Sequence, residues 1–183
     1  MKFISALLFL LVLTLSACSQ TSKNKNGGWK VDGEKVIDAP DHKAVDGFGG
    51  LLFVIRNPKD FVKEWLKPEQ PNFDSAKTVK SNEPLGIIVL FASCKPNSDG
   101  ICNTEVDYTA YKPDGSVYFE RKGLELWKEK APPKPNTQLG RAIINFQIQP
   151  TSPNGEYKVK AKVYDKNADI SFELETQFIL ELK

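Results

Sequence analysis

The residues able to do chemistry in this chain are few and far apart. Cys94 and Cys102 flank Lys95-Pro96-Asn97-Ser98-Asp99-Gly100, a turn-rich stretch whose ends can meet as in a hairpin. Two thiols at that spacing predict a disulfide, worth about 2.5 kcal/mol for so short a loop on the chain-entropy account. A metal site needs more ligands than two thiols, and the only histidine, His42, is distant in sequence. No metal centre is expected from these groups. His42 sits in the polar Asp41-His42-Lys43 and reads as a solvated loop residue. A catalytic role would need a nucleophile and an orienting acid from distant segments. Asp165, Asn167 and Asp169 have the spacing of the first three ligands of a calcium loop, but Ile170 replaces the required glycine and Thr176 the bidentate glutamate. A hairpin between two strands accounts better for Asp165 to Asp169, with a weak calcium site of another kind as the alternative. Glu64, Glu83, Asp107 and Glu125 read as surface carboxylates. None stands alone in an apolar run, where its pKa would rise. Gly-x-Ser-x-Gly and His-Glu-x-x-His motifs are absent. Gly47-Phe48-Gly49-Gly50 precedes a strand and lacks a lysine, so it reads as a flexible lead-in to Leu51 and not as a phosphate loop. The expectation is a protein that is not an enzyme and uses no cofactor.

Cys18 has a different chemistry. Lys2 precedes an apolar run from Phe3 to Leu15, in the n-region and h-region order of a secretory signal. The run is too short for the roughly 20 residues that span a bilayer core. It ends in Leu15-Ser16-Ala17-Cys18, which resembles the lipobox of bacterial lipoproteins. The resemblance implies cleavage after Ala17 and acylation of Cys18. An ordinary signal peptide that happens to end in Ala-Cys is the alternative, because small residues at 16 and 17 suit ordinary cleavage sites as well. Ser19 in place of aspartate implies, in a double-membrane bacterium, sorting to the outer membrane, facing the periplasm or the cell surface. A three-chain lipid holds far better than the single chain that gives only marginal binding. Ser19 to Gly27 is polar, carries Lys23 and Lys25 and reads as a flexible stalk able to reach ~30 Å. The expected organisation is thus a signal peptide at 1–17, a tether at 18–27 and one domain at 28–183.

Removing residues 1–17 takes Lys2 from a total of 25 Lys+Arg against 23 Asp+Glu, leaving the mature chain near neutral. That argues against the basic field of a nucleic-acid binder. The length suits one domain with a sizeable core.

Hydropathy patterning sets the elements. Asp32-Gly33 lies between two short alternating runs, Trp29 to Val31 and Glu34 to Ile37, and signals a hairpin. Asp38 to Gly50 is expected to be loop. Leu51 to Ile55 is continuously apolar and predicts a strand buried on both faces. Asn57 stands in N-cap position before Pro58, and Phe61/Trp65 and Val62/Leu66 are i,i+4 pairs of a short helix that ends by Pro68. Leu85 to Ala92 is a second buried strand. Val106, Tyr108 and Ala110 share one face, and Pro113-Asp114-Gly115 turns the chain into Val117-Tyr118-Phe119. Lys128 to Gln138 holds three prolines and is expected to be an exposed extended loop. Ala142 to Ile148, Tyr157 to Val163 and Ile170 to Leu182 alternate as strands.

Seven or more strands and one helix argue an all-β fold, an antiparallel β-sandwich. Asn154-Gly155-Glu156-Tyr157-Lys158-Val159-Lys160-Ala161 resembles the penultimate-strand signature of immunoglobulin-like domains, with Val159 where antibodies carry cysteine. The resemblance covers about the last third of the chain. It implies an Ig-like sandwich in which Tyr157 forms a tyrosine corner, and it implies little about activity. Trp65, Trp127, Tyr118 and Phe119 lie outside the main alternation and are the candidate binding residues, weighed against a packing role on the helix and the sheet edge. The expected function is a membrane-anchored, non-enzymatic protein-binding or inhibitor-like module that engages another envelope or secreted protein. A structural envelope lipoprotein without a discrete ligand is the alternative, and a hydrolase comes third.

Overall fold

The structure, a computed structural model, describes residues 37–68, 75–133 and 137–181, and the backbone of 30–31 and 34–35. The lipobox, Cys18 and the tether lie outside the described residues. In chain order the elements are β1 (Lys30–Val31), β2 (Glu34–Lys35), β3 (His42–Val45), β4 (Phe48–Arg56), α1 (Pro58–Trp65), β5 (Thr78–Val79), β6 (Leu85–Ala92), β7 (Thr104–Tyr111), β8 (Val117–Trp127), β9 (Gln138–Leu139), β10 (Ile144–Phe146), β11 (Gly155–Asp165) and β12 (Ile170–Leu180).

Strands β1 and β2 pair with each other, Val31 opposite Glu34, as a hairpin requires. The other strands form two sheets, ordered β10-β6-β4-β3, with β9 also paired to β6, and β5-β12-β11-β7-β8. They face each other across one core that includes Leu52, Val54, Ile87, Val89 and Phe91 from the first and Val106, Tyr108, Val159, Val163, Leu174 and Phe178 from the second. In the letters of immunoglobulin-like domains, β4, β6 and β10 take the places of A, B and E, while β7, β11 and β12 take those of C, F and G. Strand β8 is the added C′. Tyr157 completes the likeness: its ring is fully buried, and its hydroxyl donates to the Pro153 carbonyl at 2.8 Å. The fold is an Ig-like β-sandwich with, among the described residues, one short helix. That helix is not long or apolar enough to cross a membrane.

Several expectations need correction. The second sheet is mixed, because β5 runs parallel to β12. Asp38 to Gly50 is not one loop. Val45 pairs with Phe48, and the two residues between them, Asp46 and Gly47, both have positive φ, at 47° and 91°. Two left-handed residues make the tight turn whose twist suits a hairpin, so β3 returns directly into β4. Gly49 and Gly50 are therefore strand residues, not a lead-in. A Cβ on Gly50 would stand 3.0 Å from the Phe172 ring, so glycine here permits close packing of the two sheets. Strand β8 runs past Phe119 to Trp127, and Gln138, the last residue of the expected loop, pairs with β6 together with Leu139. In β8, bulges interrupt the pairing and hide its periodicity. Only Ile144–Phe146 of the Ala142 to Ile148 stretch is strand. Asn57 sits before the helix as expected but adopts a left-handed conformation and makes no side-chain cap bond.

Candidate functional site: the disulfide-closed loop end

The connections from β6 to β7, from β8 to β9 and from β11 to β12 emerge at one end of the sandwich, where the B–C, C′ and F–G connections of immunoglobulin-like domains lie. Loops with so few apolar residues have little to bury, so their shape must come from other bonds. Cys94 and Cys102 are disulfide-bonded, with Cα atoms 5.9 Å apart and both residues buried. Inside that loop Asn97 organises a turn. Its Oδ1 accepts from the Asp99 and Ile101 amides, and its own N–H donates to the Ile101 carbonyl at 2.9 Å. An asparagine side chain that mimics the backbone in this way is a common turn device.

The loop is braced on two sides. Towards the exit of β8, Cys102 N–H donates to the Glu129 carbonyl and Ala131 N–H to the Gly100 carbonyl, at 2.8 and 2.9 Å. Trp127 Nε1 donates to the Lys130 carbonyl, its ring packs on Phe91, and the Arg141 guanidinium lies 5.4 Å from its centroid. Towards the β11–β12 turn, Asp165 is the pivot. It occupies the inward register of β11 after Tyr157, Val159, Ala161 and Val163, and is 1% exposed. A buried carboxylate must be hydrogen-bonded. Asp165 Oδ2 accepts from Lys95 N–H at 2.6 Å, and Oδ1 accepts from the Asn167 and Ala168 amides. Lys166 N–H adds a bond to the Asn103 carbonyl.

Charges line the sheet face beside this end. Glu105 stands between Lys128 and Lys166, each 3.2 Å away. Desolvation works to raise its carboxyl, but bonding to the two lysines outweighs it and holds the group below the usual carboxylate range. Tyr164 donates to Asp107 Oδ2 at 2.7 Å, with Lys166 4.5 Å from its ring centroid. The bond to Asp107, together with desolvation, pushes the phenol up to about 12. Both groups keep their ordinary neutral-pH charge. Exposed above the braces are Lys95, Pro96, Asn97, Ser98, Asp99, Lys130 and Asp169. The exposed tip thus carries charges of both signs, Lys95 and Lys130 against Asp99 and Asp169, over a hydrogen-bonded and disulfide-bonded base.

The four aromatic candidates do not converge. Trp127 belongs to this end as a brace. Trp65 packs against Phe61 on α1, outside the first sheet. Tyr118 and Phe119 lie at the other end of β8, where Tyr118 meets Tyr157 edge-on and donates to the Gln147 carbonyl, while Phe119 meets Phe146. His42 is not in a loop. It lies part-buried in β3, with Nδ1 2.8 Å from Asp41 and Nε2 2.8 Å from the Ile37 carbonyl. Glu64 pairs with Lys67 and Glu83 with Arg56, while Asp107 also accepts from Gly123 N–H. These carboxylates share no site. Among the described residues no group of three or more His, Cys, Asp or Glu could hold a metal. Two open grooves of about 570 and 590 Å³ lie elsewhere, one between α1 and β10 and one along β12 beside Pro40.

In the sequence Asp165 and Asn167 stand out only by a calcium-loop spacing that a hairpin explains better, and Asn97 only as part of a turn-rich stretch, so none of the three reads as a brace. A signal was present for one of them, since a carboxylate in the fifth position of an inward-facing apolar series requires partners.

No family model matches the chain. No curated protein matches it either. Among solved structures, a family 123 glycoside hydrolase from Clostridium perfringens aligns at 10% identity and a TM-score of 0.35, over 72% of this chain and 27% of the hydrolase. The chain thus spans about a quarter of that enzyme's length. A CARDB domain from Pyrococcus furiosus, in complex with di-metal ions, aligns at 14% identity and a TM-score of 0.34, over 73% of this chain and 96% of the domain. Likenesses of this strength transfer no activity and no ligand.

Proposed function

We propose that this protein is a lipid-tethered, non-enzymatic binding module of the cell envelope, which presents the disulfide-closed loop end to another envelope or secreted protein. The cross-braced tip carries the reading. Disulfide, backbone and buried-carboxylate bonds hold Lys95 to Asp99 on a surface that is exposed among the described residues. Rigid loops on a sandwich lose little conformational entropy on docking, which is how preorganisation raises affinity. The Leu15-Ser16-Ala17-Cys18 lipobox supports the tether and the envelope address. A structural lipoprotein without a partner would have no need of a preorganised exposed tip.

The test places a photo-crosslinking residue at Ser98 of the full chain in cells that express it, with Glu173 on the outer face of β12 as the control. A discrete adduct from position 98 and none from 173 is expected. Absence of an adduct at 98, or equal adducts at both, would overturn the binding reading. Separately, Cys18→Ser should leave the chain unprocessed or soluble. Fractionation of that variant with membranes at normal mature size would overturn the lipid tether.

A further inference from the structure

We infer that Asn167 is a second, non-covalent closure of the 94–102 loop, acting in parallel with the disulfide. Its Nδ2 donates to two carbonyls, those of Lys95 and Ile101, at 2.9 Å each. Lys95 follows Cys94 and Ile101 precedes Cys102, so one amide group spans the same gap as the sulfur bridge. The chemistry is specific. Two acceptors facing one another require a group with two hydrogens on one atom, which a side-chain amide supplies and a carboxylate does not.

The amide is itself held in place. Asn167 N–H donates to Asp165 Oδ1, and the other oxygen of that carboxylate holds Lys95 N–H. The turn that carries both residues closes a hairpin paired without a break from Gly155 opposite Leu180 to Asp165 opposite Ile170. The clasp therefore rides on the longest ladder of the fold and not on the loop it closes. Cleaving the sulfur bond leaves Lys95 and Ile101 joined through Asn167, and the shape of the tip does not depend on its redox state. The coupling is reciprocal: with both thiols reduced, the clasp keeps them near each other and raises their effective concentration for reoxidation. No partner enters the inference, so it stands or falls separately from the binding proposal.

Two measurements on the full chain test it. The first is the disulfide equilibrium in glutathione redox buffers, read by mass spectrometry after thiol trapping. Asn167→Ala and Asn167→Asp should each lower the equilibrium constant for closure about tenfold, a shift of about 30 mV. The second is amide hydrogen exchange at Asn97 and Ile101, whose N–H groups bond within the loop. The Cys94→Ser/Cys102→Ser variant should keep their protection within about tenfold, and adding Asn167→Ala should lose more than the product of the separate effects. An equilibrium constant unchanged by Asn167→Ala overturns the inference. So does loss of protection, or of folding, in the cysteine variant alone.

Discussion

Strand β6 in one sheet and β11 in the other bury their residues by different rules. From Leu85 to Phe91 every residue of β6 is buried, whereas β11 alternates, with Tyr157, Val159, Ala161 and Val163 inside and lysines between them. The first sheet is a middle layer. Its inner side chains join the main core, while Ile55, Ile88 and Leu90 on its outer side pack beneath Phe61 and Trp65 of α1 and beside Leu139 and Ile143. Among the described residues the second sheet is covered on one face, and its outer face carries paired charges, such as Lys158 and Lys160 on Glu175. A continuous apolar run thus marks the strand that something else must cover, and a clean alternation marks the strand that faces water.

The largest expected effect breaks this comparison directly. Ile88→Ala and Leu90→Ala, on the outer side of β6, should each cost about 3 kcal/mol, as much as Ile87→Ala on the inner side. Lys160→Ala in β11 should stay within about 0.5 kcal/mol. Urea melts in which the outer β6 positions prove as tolerant as Lys160 would mean that α1 does not seal the first sheet.

Asp165 is the polar exception in the inward series of β11. Asp165→Ala strands the backbone N–H groups of Lys95 and Asn167, while Ala168 N–H keeps its bond to the Asp165 carbonyl, and should cost about 2–3 kcal/mol. A cost near that of a surface substitution would show that water replaces the carboxylate and that the loop end does not hang on it.

Tyr157→Phe keeps the ring stacked on Phe178 at 5.3 Å and removes the hydroxyl with its bond to the Pro153 carbonyl. A loss of ~1–2 kcal/mol is expected from calorimetric or urea unfolding. No loss would reduce the tyrosine corner to ring packing.

The smallest effect concerns the charged outer face. Bonding to Lys158 holds the Glu175 carboxyl below its ordinary range. A carboxyl whose pKa is lower folded than unfolded stabilises above the unfolded value, near ~4.3, and loses that contribution as pH falls through the folded value. Both partners face solvent, which screens the pair, so its contribution is small. The stability difference between the natural chain and Glu175→Gln should be steady from pH 7 to 5 and shrink below about pH 4. A difference that persists at pH 3 would assign it to packing and not to charge.

Much of this molecule is legible in the order of its residues. Period-two runs locate β7, β11 and β12, continuous runs locate β4 and β6, and Asn-Pro with i,i+4 aromatics locates α1. Gly155-Glu156-Tyr157 marks the tyrosine corner, and two nearby cysteines mark the disulfide. These features are local, because the face a side chain takes is set by its neighbours a few positions away. What tertiary structure alone decided is which local features meet. The bonds from Asp165 and Asn167 to Lys95 and Ile101 cross 66 to 72 positions. The parallel seating of β5 and the continuation of β8 to Trp127 depend likewise on strands brought alongside by the fold. Hydrophobic periodicity records only that a side chain is buried. The identity of its partner is a property of the packed sandwich, and the candidate binding end exists only there.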